Sequence, residues 1–324
     1  MEEKIQTIGV LTSGGDAPGM NAALRAVVRT GINAGFKVMG IRRGYAGLLS
    51  GDIEEMSLRS VSDILHRGGT ILQTARSAEF ATEAGVDKAI SMAKVFGIHG
   101  LVVIGGDGSF RGARDLSLKG LPTVGIPGTI DNDIGCTDYC IGYDTALNTV
   151  MEAVDKIRDT ATSHQRGSVV EVMGRHAGHI ALNICVANGA EAVIIPEKPF
   201  DFDRDIIRPI IEGKHRGKKH YIIILAEGSG SGIELASRIE EITGVETRAT
   251  VLGHVQRGGS PSVRDRVIAS KMGAKAVELL KEGIGNRVVA QVNNKITDFD
   301  ILEGLSMEKT IDEDLYELAK ILAL

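Results

Sequence analysis

Apolar residues along this chain fall into two alternating textures. Short β-branched runs recur: TIGVL (7–11), KVMGI (37–41), GLVVI (100–104), TVGI (123–126), SVVEV (168–172), AVII (192–195), YIIIL (221–225) and TVLGHV (250–255). Between them lie stretches whose apolar positions repeat at helical spacing, among them MNAALRAVVRTGINAG (20–35), VDKAISMAKVFG (86–97) and YDTALNTVMEAVDKIRDTATS (143–163). Strand runs that are apolar throughout and separated by helices predict parallel sheets covered on both faces, a doubly wound α/β architecture. The long helix opening at Tyr143 has a capping-type start and is read as a bridge between two lobes, with a second crossing near residue 254. The amphipathic final stretch TIDEDLYELAKILAL is read as structural.

Composition narrows the class. The chain has 324 residues, 43% of them hydrophobic, which suffices for one large or two medium packed domains. A net charge of −5 argues against general nucleic-acid binding, and the scarcity of aromatics (no Trp, five Tyr, seven Phe) argues against stacking platforms for single strands. Cysteines are sparse and odd in number (Cys136, Cys140, Cys185), as expected in a reducing compartment. Cys136 and Cys140 lack the second pair that a tetrahedral metal site needs. No apolar run reaches a membrane span and the N-terminus does not read as a signal peptide, so a cytoplasmic protein with no membrane partner is expected.

Candidate chemistry gathers in three turns that follow strands, where open α/β sheets bind ligands. In TSGGDAPGMNAA (12–23), Gly14 and Gly15 allow close backbone approach, Pro18 suits a first helical turn, and the helix start would favour phosphate. In GLVVIGGDGSFRGARDL (100–116), Gly105, Gly106 and Gly108 surround Asp107, with Ser109 expected as the N-cap; a carboxylate among glycines can hold Mg²⁺ beside phosphates. In PGTIDND (127–133), Asp131 or Asp133 can accept a proton from an attacking hydroxyl while the other approaches the metal, and Thr129 can donate to a phosphate. No G-x-x-x-x-G-K-[ST] occurs, and GSGSG (228–232) has the wrong spacing for a dinucleotide fingerprint and is read as a loop. Basic residues cluster separately: His164 and Arg166; Arg175, His176 and His179; Arg248, His254 and Arg257. Arginine forks suit a phosphate monoester. Together these describe a kinase acting on a phosphorylated metabolite.

GVLTSGGDAPGMNAA, VVIGGDGS, PGTIDNDI, VEVMGRHAG and TRATVLGHVQRGGSP occur in order between Gly9 and Pro261. In this set the chain resembles the bacterial ATP-dependent 6-phosphofructokinase family. The resemblance implies two Rossmann-like lobes with the active site in the cleft between them. An ATP-binding lobe would span 1–141 plus about 255–306, and a sugar-phosphate lobe 142–254 plus about 307–324. The implied reaction moves the γ-phosphate of ATP to the 1-hydroxyl of fructose 6-phosphate, the committed step of glycolysis.

Carried over by motif, Asp131 is the base, helped by Thr129 and Arg175; Asp107 ligates Mg²⁺ with Asp133 near it. Gly15, Arg76, Ser77, Gly106, Asp107, Gly108 and Ser109 line ATP. Thr129, Ile130, Asp131, Met173, Gly174, Arg175, Glu227, His254, Val255, Gln256 and Arg257 face the sugar phosphate. Arg166 and Arg248 match residues that reach a neighbouring subunit's site in a homotetramer. Arg25, Arg29, Arg158, Gly189, Glu191, Arg216 and Lys218 match an effector pocket for ADP or phosphoenolpyruvate, although Leu58 stands where some members carry arginine. Pyrophosphate-using relatives usually carry an acidic residue at the position of Gly108 and a lysine at that of Gly128, so both glycines favour ATP. The alternatives are a pyrophosphate-dependent enzyme or a catalytically silent sugar-phosphate-binding regulator.

Overall fold

The computed structural model describes residues 5–323, and the chain divides into two compact units, Met1–Thr145 with Arg257–Lys309 and Ala146–Gln256 with Thr310–Leu324. In the first, β1 (Thr7–Thr12), α1 (Met20–Asn33), β2 (Lys37–Ile41), α2 (Gly44–Ser50), β3 (Ile53–Met56), α3 (Glu83–Val95), β4 (Gly100–Gly105), α4 (Asp107–Leu118) and β5 (Thr123–Pro127) follow one another. Helix α5 (Tyr143–His164) carries the chain into the second unit. There follow β6 (Gly167–Val172), α6 (His179–Asn188), β7 (Ala192–Ile194), α7 (Arg208–His215), β8 (Tyr221–Ala226), α8 (Gly232–Thr243) and β9 (Thr247–Val251). The first unit is completed by α9 (Val263–Lys281), β10 (Arg287–Val292), β11 (Lys295–Asp300) and α10 (Ile301–Ser306); α11 (Glu313–Leu322) belongs to the second.

The first sheet has the order β11-β10-β5-β4-β1-β2-β3; its centre is parallel and both edge pairs are antiparallel. The second, β7-β8-β6-β9, is parallel throughout. All six residues of β1, of β4 and of β8 are buried, as expected for strands covered on both faces. Each Val, Ile or Leu so placed contributes about 1.5–3 kcal/mol. The apolar core of the first unit includes Leu11, Leu101, Val103, Phe110 and Leu116; that of the second includes Val169, Ile223, Leu225 and Ile239.

Several local expectations are corrected. The TVLGHV run is a strand only to Val251; the chain then coils into a 3₁₀ turn at Gly253–Arg257, opened by a left-handed Gly253. Helix α1 begins at Met20 behind a left-handed Gly19, so Pro18 precedes the helix instead of filling its first turn. Ala17 to Leu24 are buried, which leaves that helix start closed to an anion. Helix α4 begins at Asp107 behind an extended Gly106, so Ser109 lies inside the first turn and is not its cap.

Candidate active site

The three glycine-bearing turns leave β1, β4 and β5, which are neighbours in the sheet, and they touch. A Cβ on Gly105 would lie 2.5 Å from both the Ser13 carbonyl and the Ser109 hydroxyl, and one on Gly14 would lie 3.3 Å from that hydroxyl. Ser109 is buried against the first two turns. A Cβ on Gly106 would lie 3.6 Å from Thr129 Cβ, which joins the second turn to the third. At Gly105 only glycine lets the two backbones approach so closely, whereas the contact at Gly106 is an ordinary van der Waals one. Gly108 faces open space.

Asp107, in the first turn of α4, is half-exposed and accepts a paired contact from Arg111 one turn on, Nε to Oδ2 at 2.9 Å and Nη2 to Oδ1 at 3.3 Å. An exposed pair of this kind contributes about 0–1 kcal/mol, so the carboxylate can exchange it for a cation. Among the described residues no cluster of three or more His, Cys, Asp or Glu forms a protein cage for a metal. Mg²⁺ asks for less, one or two carboxylates together with substrate phosphates, and an accessible carboxylate at a glycine-walled turn fits that requirement.

The third turn is the most constrained. Asp131 is 8% exposed and its N–H donates to Thr129 Oγ1 at 3.2 Å. Asn132 is left-handed (φ 52) and buried; its Oδ1 accepts from Cys140 N at 3.0 Å and its Nδ2 donates to the Asp138 carbonyl. Ile141 N donates to the Pro127 carbonyl at 2.9 Å. The strip 138–141 thus backs the turn at both ends. Ile130 is fully buried. Asp133 is half-buried near the half-buried Lys309, whose ammonium donates to the Thr137 carbonyl and whose pKa burial pushes down.

Gly15, Arg76 and Ser77 are expected to line ATP. The Arg257 guanidinium lies on Gly15, where a Cβ would come within 1.8 Å of Nη1. Arg76 is exposed. Ser77 Oγ accepts from Phe80 N, and the Phe80 ring stacks at 3.9 Å on Tyr45, whose hydroxyl donates to the Ser109 carbonyl at 2.6 Å.

The second unit carries Arg166, Arg175 and Arg248. Gly174 (φ 144) and Arg175 (φ 58) follow β6, and both amides donate to Glu227 Oε1, at 3.2 and 2.7 Å. Glu227 is thereby a clamp on the turn that presents Arg175. The GSGSG loop buttresses it, since a Cβ on Gly228 would lie 2.4 Å from the Arg175 carbonyl. Gln256 is fully buried, accepting from Met173 N at 3.1 Å and donating to the Gly253 carbonyl at 3.0 Å, so its side chain is committed to the fold and not to a substrate. His254 and Val255 are exposed on the same 3₁₀ turn. Arg166 and Arg248 both pair with Glu246, at 2.9 and 2.6 Å, and hydrogen bonding from Arg248 foremost, then the charge of Arg166, holds that carboxyl below its usual range. His179 is buried at the start of α6, which removes it from the basic cluster.

The phosphofructokinase family model matches residues 7–280. Two ATP-dependent 6-phosphofructokinases, from Alkaliphilus metalliredigens and Clostridium novyi, are each 60% identical, over 99% and 98% of this chain and 100% of their own length. The chain belongs to the phosphofructokinase family. Among solved structures, phosphofructokinase from Saccharomyces cerevisiae matches with a TM-score of 0.86 at 36% identity; it covers 98% of this chain, which spans 48% of that one. A pyrophosphate-dependent phosphofructokinase from Marinobacter aquaeolei shares the fold (TM-score 0.84, 97% of this chain and 91% of that one) at 21% identity. Phosphofructokinase architecture thus accounts for the two mainly parallel sheets.

Arg25 and Arg29 lie on α1 of the first unit, whereas Arg158, Gly189, Glu191, Arg216 and Lys218 belong to the second. Arg158 donates to the carbonyls of Asn188 and Gly189. Glu191 pairs with Lys218 at 3.3 Å and accepts from Ile222 N at 2.6 Å. Glu191 and Lys218 line a cavity of about 440 Å³ together with Lys214 and Glu246. Arg111, Glu246 and Asp265 were not legible as site residues from the sequence; each is an ordinary charge until its partner is known.

Proposed function

We propose that this chain is an ATP-dependent 6-phosphofructokinase, transferring the γ-phosphate of ATP to the 1-hydroxyl of fructose 6-phosphate. The observation that carries the reading is the continuous edge formed by the turns after β1, β4 and β5, with Asp107 and Asp131 on adjoining turns and Thr129 against Gly106. Asp131 takes the proton of the 1-hydroxyl as its oxygen bonds to the γ-phosphorus and the bond to ADP breaks. A carboxylate is a weak base but is ionised at neutral pH, and phosphoryl transfer depends mainly on positioning and charge neutralisation. Asp107, with Asp133 near it, would hold Mg²⁺, which neutralises the phosphate charge when bound. Thr129 donates to a phosphate, and Arg175, held out by the Glu227 clamp, offsets the charge on the moving group. Arg166 and Arg248 recognise the sugar phosphate.

Gly108 bears on the donor. The space above it is open, so a nucleotide can lie there, and a carboxylate would repel its α-phosphate. The homotetramer, the cytoplasmic location and an effector pocket for ADP or phosphoenolpyruvate at Glu191 and Lys218 belong to the same proposal. Asp131→Ser should lower kcat by about 10²–10⁴-fold with little change in the half-saturating concentration of either substrate. Wild-type turnover in that variant would remove Asp131 as the base.

A further inference from the structure

Asp265 is a carboxylate that the mechanism above does not use, and it is fully buried. Its Oδ1 accepts from the Tyr139 hydroxyl at 2.5 Å and Gly142 N at 2.7 Å; its Oδ2 accepts from Thr145 N at 2.9 Å and the Thr145 hydroxyl at 2.5 Å. The arrangement follows from the sequence on both sides. Gly142 precedes α5 with φ 103, and a Cβ there would lie 2.7 Å from Ala17 Cβ and 3.2 Å from the Pro18 carbonyl of the first glycine turn. The position must therefore be glycine, and glycine has no side chain with which to cap the helix it precedes. Asp265 supplies the missing oxygen from another helix.

The exchange is reciprocal. Ser262 caps α9 by accepting from Asp265 N at 3.2 Å, the first half of a capping box. In such a box the third residue reaches back to the cap's own N–H. Here Asp265 points to α5 instead, and the Ser262 N–H donates to Thr145 Oγ1 at 2.9 Å. Two helix N-termini thus cap each other through one carboxylate and one hydroxyl. Burial pushes the Asp265 carboxyl up, opposed by donors from Thr145, Tyr139 and Gly142. An ion so placed contributes little net stability, but its directional bonds fix position.

What is fixed lies next to the chemistry. Tyr139 and Gly142 flank Cys140 and Ile141, the residues that hydrogen-bond to Asn132 and Pro127 at the two ends of the Asp131 turn. On its other side Asp265 meets the first glycine turn, since a Cβ on Gly19 would lie 2.6 Å from Ile141 and 3.5 Å from Asp265 Cβ. We infer that Asp265 is a positioning residue for phosphoryl transfer, holding the catalytic turn and the first glycine turn in register through Tyr139, Gly142 and Thr145. It touches no substrate. The inference rests on the reading of Asp131 as the base.

The test uses the full-length enzyme with fructose 6-phosphate and Mg-ATP, following kcat, KM for each substrate and melting temperature. Asp265→Asn should lower kcat by about 10–100-fold, the cost of misplacing a reacting group, with KM for ATP within about 2-fold. Tyr139→Phe, which removes one donor, should show a smaller loss of the same kind. Thr145→Val should lose kcat and Thr145→Ser should restore it. Leu279→Ala, a buried position in the last turns of α9, serves as a stability control and should melt lower with kcat intact. Wild-type kcat in Asp265→Asn, equal losses in Thr145→Ser and Thr145→Val, or an equal loss in Leu279→Ala would each overturn the inference. Asp131→Ser run in parallel separates the two claims: if it is inactive while Asp265→Asn is not, only the positioning role falls.

Discussion

At the scale of single residues, contacts that glycine alone permits have consequences out of proportion to their size. A methyl on Gly15 would collide with the Arg257 guanidinium, the far end of a flexible side chain, so Gly15→Ala should fold while displacing Arg257. Turnover is expected to fall about 10-fold or more as the displaced guanidinium misaligns its neighbours, with the melting temperature nearly unchanged; activity measured beside a melting curve checks this, and a fully active variant contradicts the close approach. The cysteines make the opposite point, that burial can silence a reactive group. Burial pushes Cys136 up to about 11 and Cys185 to about 12, and Cys140 also upward. Because the thiolate is the nucleophile, none should react with iodoacetamide in the native protein at pH 8, and all should react in denaturant, as read by mass spectrometry. The sign of the linked stability follows. The unfolded thiols ionise near 9 while the folded ones do not, so stability should decline as pH rises from about 9 through 11.

Secondary-structure elements show what the sequence could convey and what it could not. Strands β1, β2, β4, β5, β6, β7 and β8 were legible because continuous apolar runs mark strands buried on two faces. The edge strands β3 and β11 were missed because IEEM is charged and mostly exposed and KITDFD is only half-buried; β10 (RVVAQV), inside β11 and buried at its centre, was missed as well. Cap positions shifted by one or two residues where Gly19 and Gly106, not a side-chain cap, begin a helix. The three ligand turns were found because glycine clusters at strand ends have few other uses, but Asp265 behind them was not, and Glu227 and Gln256 were read only as facing the sugar phosphate, not as clamps on the turn after β6. Glu227, Gln256 and Asp265 act through partners 52, 83 and 120 residues away, a separation no local pattern encodes. Glu246 is such a case too, holding both Arg166 and Arg248. Exposed pairs of this kind yield readily. Arg166→Ala and Arg248→Ala should each raise the half-saturating fructose 6-phosphate by about 10–100-fold, the worth of a charged hydrogen bond, with kcat less affected. Unchanged half-saturation in both would remove them from the site.

For the molecule as a whole, the first unit is a mainly parallel sheet with antiparallel edges that carries Asp107, Asp131 and the three glycine turns, and the second is a parallel sheet that carries Arg166, Arg175 and Arg248. No helix among the described residues is long and apolar enough to cross a membrane. The fold is shared with a pyrophosphate-dependent phosphofructokinase, so the fold by itself does not decide the donor. Gly108 faces open space and places no charge there, whereas Gly128 is buried against Ile104 and Met20. The most direct measurement is fructose 1,6-bisphosphate formation from fructose 6-phosphate and Mg²⁺, with ATP in one sample and pyrophosphate in the other. Product with ATP and none with pyrophosphate is the predicted result; product with pyrophosphate alone, or with neither donor, would contradict it.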